Sequence, residues 1–249
     1  MAVNGKIRAI ASLRFKLNQK AIALASRACS RSPLLWSEFS CQKESNMVRL
    51  TVALQLNCMV ISPLTLNLDT VHLSDEQFYQ LCQNNRELKF ERTASGELII
   101  MSPVEGESGN REAELIADLV IWNRQTQLGY TFSSSTIFKL PNGADRSPDA
   151  AWIRRERWES LTPQQRRKFP PIAPDFVIEL RSATDDLETL RQKMREYLDA
   201  GVQLGWLINP QQQQVEIYRQ GRDVEVLALP AELFGEDVLP EFTLSLPLY

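Results

Sequence analysis

The chain has few of the residues that many catalytic and structural frameworks require. It contains one histidine in 249 residues, His72, so a His-rich metal site and a Ser-His-Asp triad are both disfavoured. It has four cysteines, but no CxxC pair. This argues against a zinc knuckle or a disulfide framework and favours a reducing compartment, which we take to be the cytoplasm. No apolar run approaches the roughly 18–20 residues needed to cross a bilayer, so we expect no membrane segment.

Low-complexity and fibrous classes are excluded as well. Ten glycines and thirteen prolines are too few for a collagen-like or Pro/Gly-rich chain. Hydrophobic residues make up 43% and charged residues 24%, which is typical of a globular protein of one large or two small domains.

Basic charge is concentrated at the start of the chain. Residues 1–46 carry eight Lys/Arg and two acids, so residues 47–249 have a net charge of −9. That balance excludes a general nucleic-acid coat protein. Any nucleic-acid contact must therefore come from a local basic strip or from bound metal.

The first 46 residues do not look like part of the fold. They are rich in Arg, Ser and Ala, which is the composition of an organelle transit peptide, and they lack the apolar core of a secretory signal. The simpler interpretation is an upstream extension from a misassigned start, with Met47 as the first residue. In either case we expect residues 1–46 to be disordered or loosely attached and residues 47–249 to form a single domain.

The remainder alternates strand and helix patterns. Ser74 begins a short helix, Ser108 or Asn110 caps a long helix that ends near Gly129, and residues 187–200 form a further helix. Strand-like runs fall at 88–92, 97–101, 130–134, 136–140, 147–153, 176–180, 204–208, 215–218 and 223–227. The pattern predicts one α/β domain with a mixed sheet flanked by helices.

Two acidic residues stand where chemistry is possible. Asp149 opens an apolar strand, and Glu179 ends a run of buried-type residues, where the two-residue strand period gives it the same face as Val177 and Arg181. Carboxylates on adjacent strands can hold Mg²⁺, which can activate water. On spacing alone, a turn residue at Asp149 and a solvated Glu179–Arg181 ion pair are the simpler interpretations.

Three ordered blocks add a resemblance. Residues 146–150 (RSPDA), 174–182 (PDFVIELRS) and 193–210, with Lys193, Tyr197 and a final GWLINP, are similar to a bacterial family of restriction-endonuclease-like proteins in the PD-(D/E)XK nuclease superfamily. The resemblance covers roughly residues 67–245. It implies a restriction-endonuclease-like core and a DNA endonuclease that uses Mg²⁺ or Mn²⁺, with Asp149 and Glu179 as metal ligands. By analogy it also suggests a homodimer.

The chain departs from the superfamily pattern at one position. The superfamily places a Lys two residues after the Glu, whereas this chain has Arg181, which cannot act as a general base but could orient water or neutralise charge. Lys193 is the natural substitute, because helical spacing puts it at the edge of the apolar stripe of its helix. A snorkelling surface Lys explains the same pattern equally well.

The superfamily often adds an acid from its first core helix. The resemblance points to Glu114, but periodicity centres the apolar stripe nearer Glu112, so both remain candidates. An ordinary acid near a helix N-terminus is the simpler interpretation of either residue.

A basic cluster follows the Asp149 strand and surrounds Trp158. Such side chains can bind backbone phosphates and stack on a base, although a solvated insertion fits equally well. The cluster comprises Arg154, Arg155, Arg157, Arg166, Arg167 and Lys168. The leading hypothesis is thus a metal-dependent DNA endonuclease. The rival is a non-catalytic nuclease-like module, a DNA-binding or assembly protein associated with mobile elements that has lost the motif Lys.

Overall fold

A computed structural model describes residues 63–68 and 71–247, all within the compact unit Leu56–Tyr249. The extension predicted for residues 1–46 lies outside the described residues. The helices are α1 (Asp75–Asn84), α2 (Gly106–Thr126), α3 (Arg155–Glu159), α4 (Pro163–Arg167) and α5 (Leu187–Asp199). The strands are β1 (Leu64–Leu66), β2 (Lys89–Arg92), β3 (Leu98–Met101), β4 (Gly129–Ser133), β5 (Phe138–Lys139), β6 (Asp145–Arg146), β7 (Ala150–Arg154), β8 (Phe176–Leu180), β9 (Leu204–Asn209), β10 (Gln214–Arg219), β11 (Glu225–Ala228), β12 (Ala231–Phe234) and β13 (Thr243–Leu246).

The strands form three sheets. The largest has the order β11-β10-β9-β8-β7-β4, the second has the order β1-β3-β2-β6-β5, and β12 pairs with β13. Strands β8 and β9 are parallel because α5 crosses over between them, while β7 and β4 complete the sheet in antiparallel pairing. The mixed α/β architecture confirms the predicted fold class. The division into several sheets was not predicted, because the two-residue strand β6, which pairs with β2, is too short to leave a sequence pattern.

The two main helices cover opposite faces of the large sheet. Strand β8 is buried along its whole length, as expected when both faces are covered. Its side chains alternate between two apolar clusters. Val177 packs in the cluster that contains Met194 and Tyr197 of α5. Phe176, Ile178 and Leu180 pack in the cluster that contains Leu115, Leu119 and Trp122 of α2. The alternation directs Glu179 to the α5 face.

Two helices, α1 and α5, begin where the sequence predicts, and a third, α2, begins earlier. Ser74 caps α1 in a full capping box with Gln77, and Asp186 accepts a hydrogen bond from the backbone amide of Thr189 at the start of α5. Helix α2, however, begins at Gly106, two residues before Ser108, with Glu105 as a cap residue that makes no side-chain hydrogen bond. The prediction of Ser108 or Asn110 as its cap was wrong. The backbone bond from Gly109 to Glu105 closes an earlier first turn without a capping side chain.

Within residues 63–68 and 71–247, no helix has the length and apolar character that a membrane span would need.

Candidate metal centre

The pairing of β7 with β8 brings Asp149 opposite Glu179. These antiparallel strands align Ala150 with Ile178 and Ala151 with Val177. One step further in the same register, Asp149 faces Glu179 across the strand tips. Directly opposed residues of an antiparallel pair project from the same face, with Cβ atoms about 5 Å apart. Two acids separated by thirty positions in sequence therefore become neighbours.

Each carboxylate uses one oxygen for the protein. Asp149 Oδ2 accepts a hydrogen bond of 2.7 Å from the backbone amide of Leu180. Glu179 Oε1 accepts one of 2.9 Å from the Tyr197 hydroxyl and forms an ion pair of 2.9 Å with Lys193 Nζ. The second oxygens, Asp149 Oδ1 and Glu179 Oε2, accept no hydrogen bond from the described residues. One oxygen on each side is thus left for a ligand.

The electrostatics of the pair favour a bound cation. Burial, with a smaller contribution from the nearby Glu179 carboxylate, raises the pKa of the Asp149 carboxyl to about 7 against the opposing effect of the Leu180 hydrogen bond. Burial likewise raises the pKa of Glu179, although the Lys193 charge opposes the shift. Because both acids resist ionising together, a positive ion between them would relieve their repulsion.

The donor set suits a hard divalent ion. Mg²⁺ prefers oxygen ligands and usually keeps several waters, so one or two carboxylates suffice to hold it. The described part of the chain contains no cluster of three or more His, Cys, Asp or Glu residues that could hold a metal. Asp149 and Glu179 therefore fit a Mg²⁺ or Mn²⁺ ion that completes its shell with water and substrate, and they do not fit a closed structural site.

Lys193 contacts one of the two opposed acids, Glu179. The side chain extends from α5, is only 9% exposed, and forms ion pairs of 2.9 Å with both Glu179 Oε1 and Glu91 Oε1. Burial alone would lower the pKa of its ammonium group, but the two carboxylates raise it well above its usual value. Lys193 is therefore a fixed positive charge at neutral pH.

Glu91 is a second carboxylate partner of Lys193, and nothing in the sequence predicted it at this site. It lies in β2 of the second sheet, is 2% exposed, and accepts hydrogen bonds from the Ser147 amide at 2.9 Å and from Arg146 at 3.1 Å, besides pairing with Lys193. Burial opposes its ionisation, but the Lys193 and Arg146 charges outweigh burial and lower its pKa. A lone acid in a hairpin strand gave no signal, because the contact depends on the unpredicted pairing of β2 with β6.

Arg181 is not joined to Glu179. Strand β8 ends at Leu180, and the Arg181 guanidinium donates to the Asp185 carbonyl at 3.2 Å and to Asn209 Oδ1 at 3.3 Å. The two-residue period that placed Arg181 beside Glu179 stops applying where the strand stops. The cation beside Glu179 comes from α5 instead.

The candidate acids Glu112 and Glu114 lie on α2, which covers the other face of the large sheet from α5. Glu114 accepts a hydrogen bond of 3.1 Å from Asn110 one turn earlier. In the part of the chain that the structure describes, neither Glu114 nor Glu112 makes a hydrogen bond or ion pair with Asp149 or Glu179. Helix α2 packs on the sheet face opposite α5, and periodicity along one helix could not reveal that arrangement.

Several members of the basic cluster are engaged within the protein. Arg155 donates to the Gln127 carbonyl at 2.9 and 2.6 Å, Arg157 pairs with Asp175 at 2.9 Å, and Lys168 pairs with Glu76 at 2.7 Å. Trp158 packs against Phe132 with ring centroids 4.8 Å apart. The exposed side chains that make no ion pair or hydrogen bond with other described residues are Arg154, Arg166 and Arg167.

Comparisons with known proteins identify a family and a similar fold. A family model, Uma2, described as "Putative restriction endonuclease", matches residues 75–247. Among solved structures, the chain is similar to "a putative nuclease belonging to DUF820" from Anabaena variabilis, with 23% identity and a TM-score of 0.54. That match covers 64% of this chain and 88% of the other, and at this identity it supports the fold alone. The search of curated proteins found no match.

Proposed function

The chain belongs to the Uma2 family of restriction-endonuclease-like proteins, and on that premise we propose that it is a Mg²⁺-dependent endonuclease that hydrolyses phosphodiester bonds in DNA. Two observations support the proposal together. The strand register places Asp149 opposite Glu179. The hydrogen bonds of each carboxylate use only one of its two oxygens. We assign both residues as metal ligands. Mn²⁺ would serve in place of Mg²⁺, because it also prefers oxygen ligands.

The protein groups have distinct tasks in this proposal. A bound divalent cation would acidify water and neutralise charge on the reacting phosphate. Lys193, held as a cation, would bind a phosphate oxygen or orient the attacking water, but its raised pKa makes it a poor general base. Tyr197 would hold Glu179 in place through its hydroxyl. Arg181 has no direct task, because its guanidinium is bound to Asp185 and Asn209.

DNA would contact the exposed arginines near the Asp149 strand. Arg154 ends β7, and Arg166 and Arg167 end α4. Phosphate contacts of this kind position a duplex without reading its sequence. We therefore propose DNA as the substrate and assign no target sequence. Cutting both strands requires two such centres, so double-strand cleavage would need a two-fold dimer, and a monomer would only nick. We place this activity in the cytoplasm.

Plasmid cleavage tests the proposal. Purified protein with Mg²⁺ or Mn²⁺ is expected to nick or linearise a supercoiled plasmid, and Asp149→Asn and Glu179→Gln are each expected to abolish cleavage. Asp145→Asn is the matched control, because Asp145 is a buried acid that pairs with Arg92 outside this centre. Cleavage that survives both substitutions would dismiss the site. DNA binding without cleavage in either metal would favour the non-catalytic module instead.

A further inference from the structure

Glu91 joins the second sheet to the metal centre. Its carboxylate, on β2, receives the Ser147 amide and the Arg146 guanidinium from the segment that leads into Asp149, and it receives the Lys193 ammonium from α5. It is therefore the carboxylate that connects the strand carrying one proposed ligand to the helix carrying the buried cation.

Lys193 has two carboxylate partners, of which only Glu179 is a proposed metal ligand. Glu179 is a proposed metal ligand, and a divalent cation would draw on its negative charge. Glu91 makes an equally short ion pair with Lys193, yet it is already satisfied by Ser147 and Arg146 and is not opposed to Asp149. When Glu179 shares its charge with a cation, Glu91 remains as the partner that can hold the Lys193 ammonium.

We infer that Glu91 is a positioning residue, which holds the Lys193 ammonium at the metal centre while Glu179 ligates the cation. The expected change in kcat rests on the proposed function. The expected position of the Lys193 ammonium does not, because it can be observed directly.

The isosteric variant Glu91→Gln can test the inference, because the neighbouring charged side chains keep other partners. In Glu91→Gln, the amide oxygen still accepts hydrogen bonds from the Ser147 amide and the Lys193 ammonium, which share Oε1. Arg146 keeps its ion pair of 2.5 Å with Glu196, and Lys193 keeps Glu179. No buried cation is left without a carboxylate. The variant should therefore fold. It removes the negative charge that anchors the Lys193 ammonium, and it also removes the hydrogen bond from Arg146 to Glu91 Oε2.

The matched control is Glu216→Gln. Glu216 is a buried acid on the large sheet, it binds Arg191 through two short contacts of 2.6 and 2.9 Å, and it accepts the Tyr218 hydroxyl at 2.7 Å. It makes no contact with Lys193. Its substitution removes the charge of a buried acid that pairs with a partly exposed arginine. It should lower stability while leaving cleavage and the Lys193 signal unchanged.

Two readouts separate positioning from scaffolding. The first is kinetic: Glu91→Gln should lower kcat about 100-fold, which is the usual effect of a misplaced group, while KM for plasmid and Kd for Mn²⁺ change by less than about threefold. Glu91→Asp, which keeps the charge, should restore part of kcat.

The second readout is the NMR signal of the Lys193 ammonium protons, assigned by its loss in Lys193→Gln. Protons held by carboxylates exchange slowly with water, so the wild type should keep the signal with and without Mg²⁺, and Glu91→Gln should lose it when Mg²⁺ is added.

The outcomes decide the inference in each case. Three results for Glu91→Gln would overturn the inference. They are a kcat equal to that of the wild type, an ammonium signal of Lys193 that persists with Mg²⁺, and a loss of Mn²⁺ affinity as large as the loss of kcat. If the wild-type protein cuts no plasmid, the proposed function fails, and the ammonium signal in Glu91→Gln alone decides the inference. If Glu91→Gln does not fold, the wild-type signal decides: retention with Mg²⁺ supports the inference and its loss overturns it.

Discussion

At the scale of single residues, the Asp149 carboxylate changes its protonation near neutral pH. Burial, with a smaller contribution from the Glu179 carboxylate, raises its pKa to about 7. A proton and a divalent cation compete for the same carboxylate, so a raised pKa makes metal affinity depend on pH in the neutral range.

We predict that Mn²⁺ binding weakens as the pH falls through 7. From a pKa of about 7, Asp149 is mostly ionised at pH 8 and mostly protonated at pH 6, so the apparent affinity should be about tenfold weaker at pH 6. Isothermal titration calorimetry at the two pH values measures the ratio. Equal affinities would mean that Asp149 is not a ligand. Asp149→Asn should abolish the tight site at both values.

Two buried tryptophans differ by one hydrogen bond. Trp152 donates from Nε1 to Asn123 Oδ1 at 2.8 Å, whereas Trp206 Nε1, equally buried, donates to no acceptor among the described residues. We predict that Trp152→Phe costs about 1 kcal/mol more unfolding free energy than Trp206→Phe, because only the first loses a hydrogen bond. Urea denaturation of the two variants gives the difference, and equal losses would contradict the assignment.

The sequence reaches some of these residues and not others. Asp149 and Glu179 stand at strand boundaries that composition and alternation reveal, so their candidacy needs no structure. Glu91 could not be found that way, because its partners Ser147 and Lys193 are brought to it by tertiary contacts. Arg181 was placed beside Glu179 by a strand period that ends one residue too early.

At the scale of elements, the proposed metal centre depends on the position of β7, because Asp149 immediately precedes that strand. Its outer neighbour β4 begins at Gly129, which pairs with Arg154 immediately after the turn from α2. A Cβ at Gly129 would clash with the Ile153 carbonyl oxygen and lie 2.5 Å from the Trp152 ring. Glycine at this position lets the chain pass close to β7.

We therefore predict that Gly129→Ala is strongly destabilising. The clash involves backbone and a buried ring, neither of which can move freely, so the unfolding free energy should fall by about 3 kcal/mol. Gly106→Ala is the control, because a Cβ there meets nothing within 4 Å at the first residue of α2. Thermal denaturation should show a large loss for the first variant and none for the second. Similar melting temperatures would contradict this account.

Element boundaries were predictable where local chemistry specifies them. Ser74 begins α1 with its own capping box, and the apolar run 176–180 coincides with β8. Strand β5 lies within the predicted run 136–140, whereas the two-residue strand β6 and the hairpin of β12 and β13 were missed. Strand β6 forms by pairing with β2, which is distant in sequence, and no local period encodes that pairing.

At the scale of the whole molecule, family and fold agree. The resemblance of three sequence blocks is confirmed by the Uma2 match over residues 75–247, and the mixed α/β architecture follows it. Residues 47–249 are acidic overall, so the proposed contacts with DNA phosphates require a local group of basic side chains.

We predict that the unengaged arginines set the salt dependence of DNA binding. Replacing Arg154, Arg166 and Arg167 together by Ala should weaken duplex binding, and the slope of log K against log salt should fall by about 0.9 for every phosphate that is no longer neutralised. Arg155→Ala is the control, because its guanidinium is bound to Gln127 and should affect stability more than the slope. Fluorescence anisotropy over a salt series measures the slopes. An unchanged slope in the triple variant would place the DNA elsewhere.

The most direct measurement is the anomalous scattering of Mn²⁺ in crystals of the protein grown or soaked with that ion. The account predicts one strong peak per chain, about 2.1 Å from an oxygen of Asp149 and an oxygen of Glu179 together. It also predicts that Lys193 remains bound to Glu91. A peak at only one of the two carboxylates, or none between them at millimolar Mn²⁺, would contradict a shared metal site and the nuclease mechanism built on it.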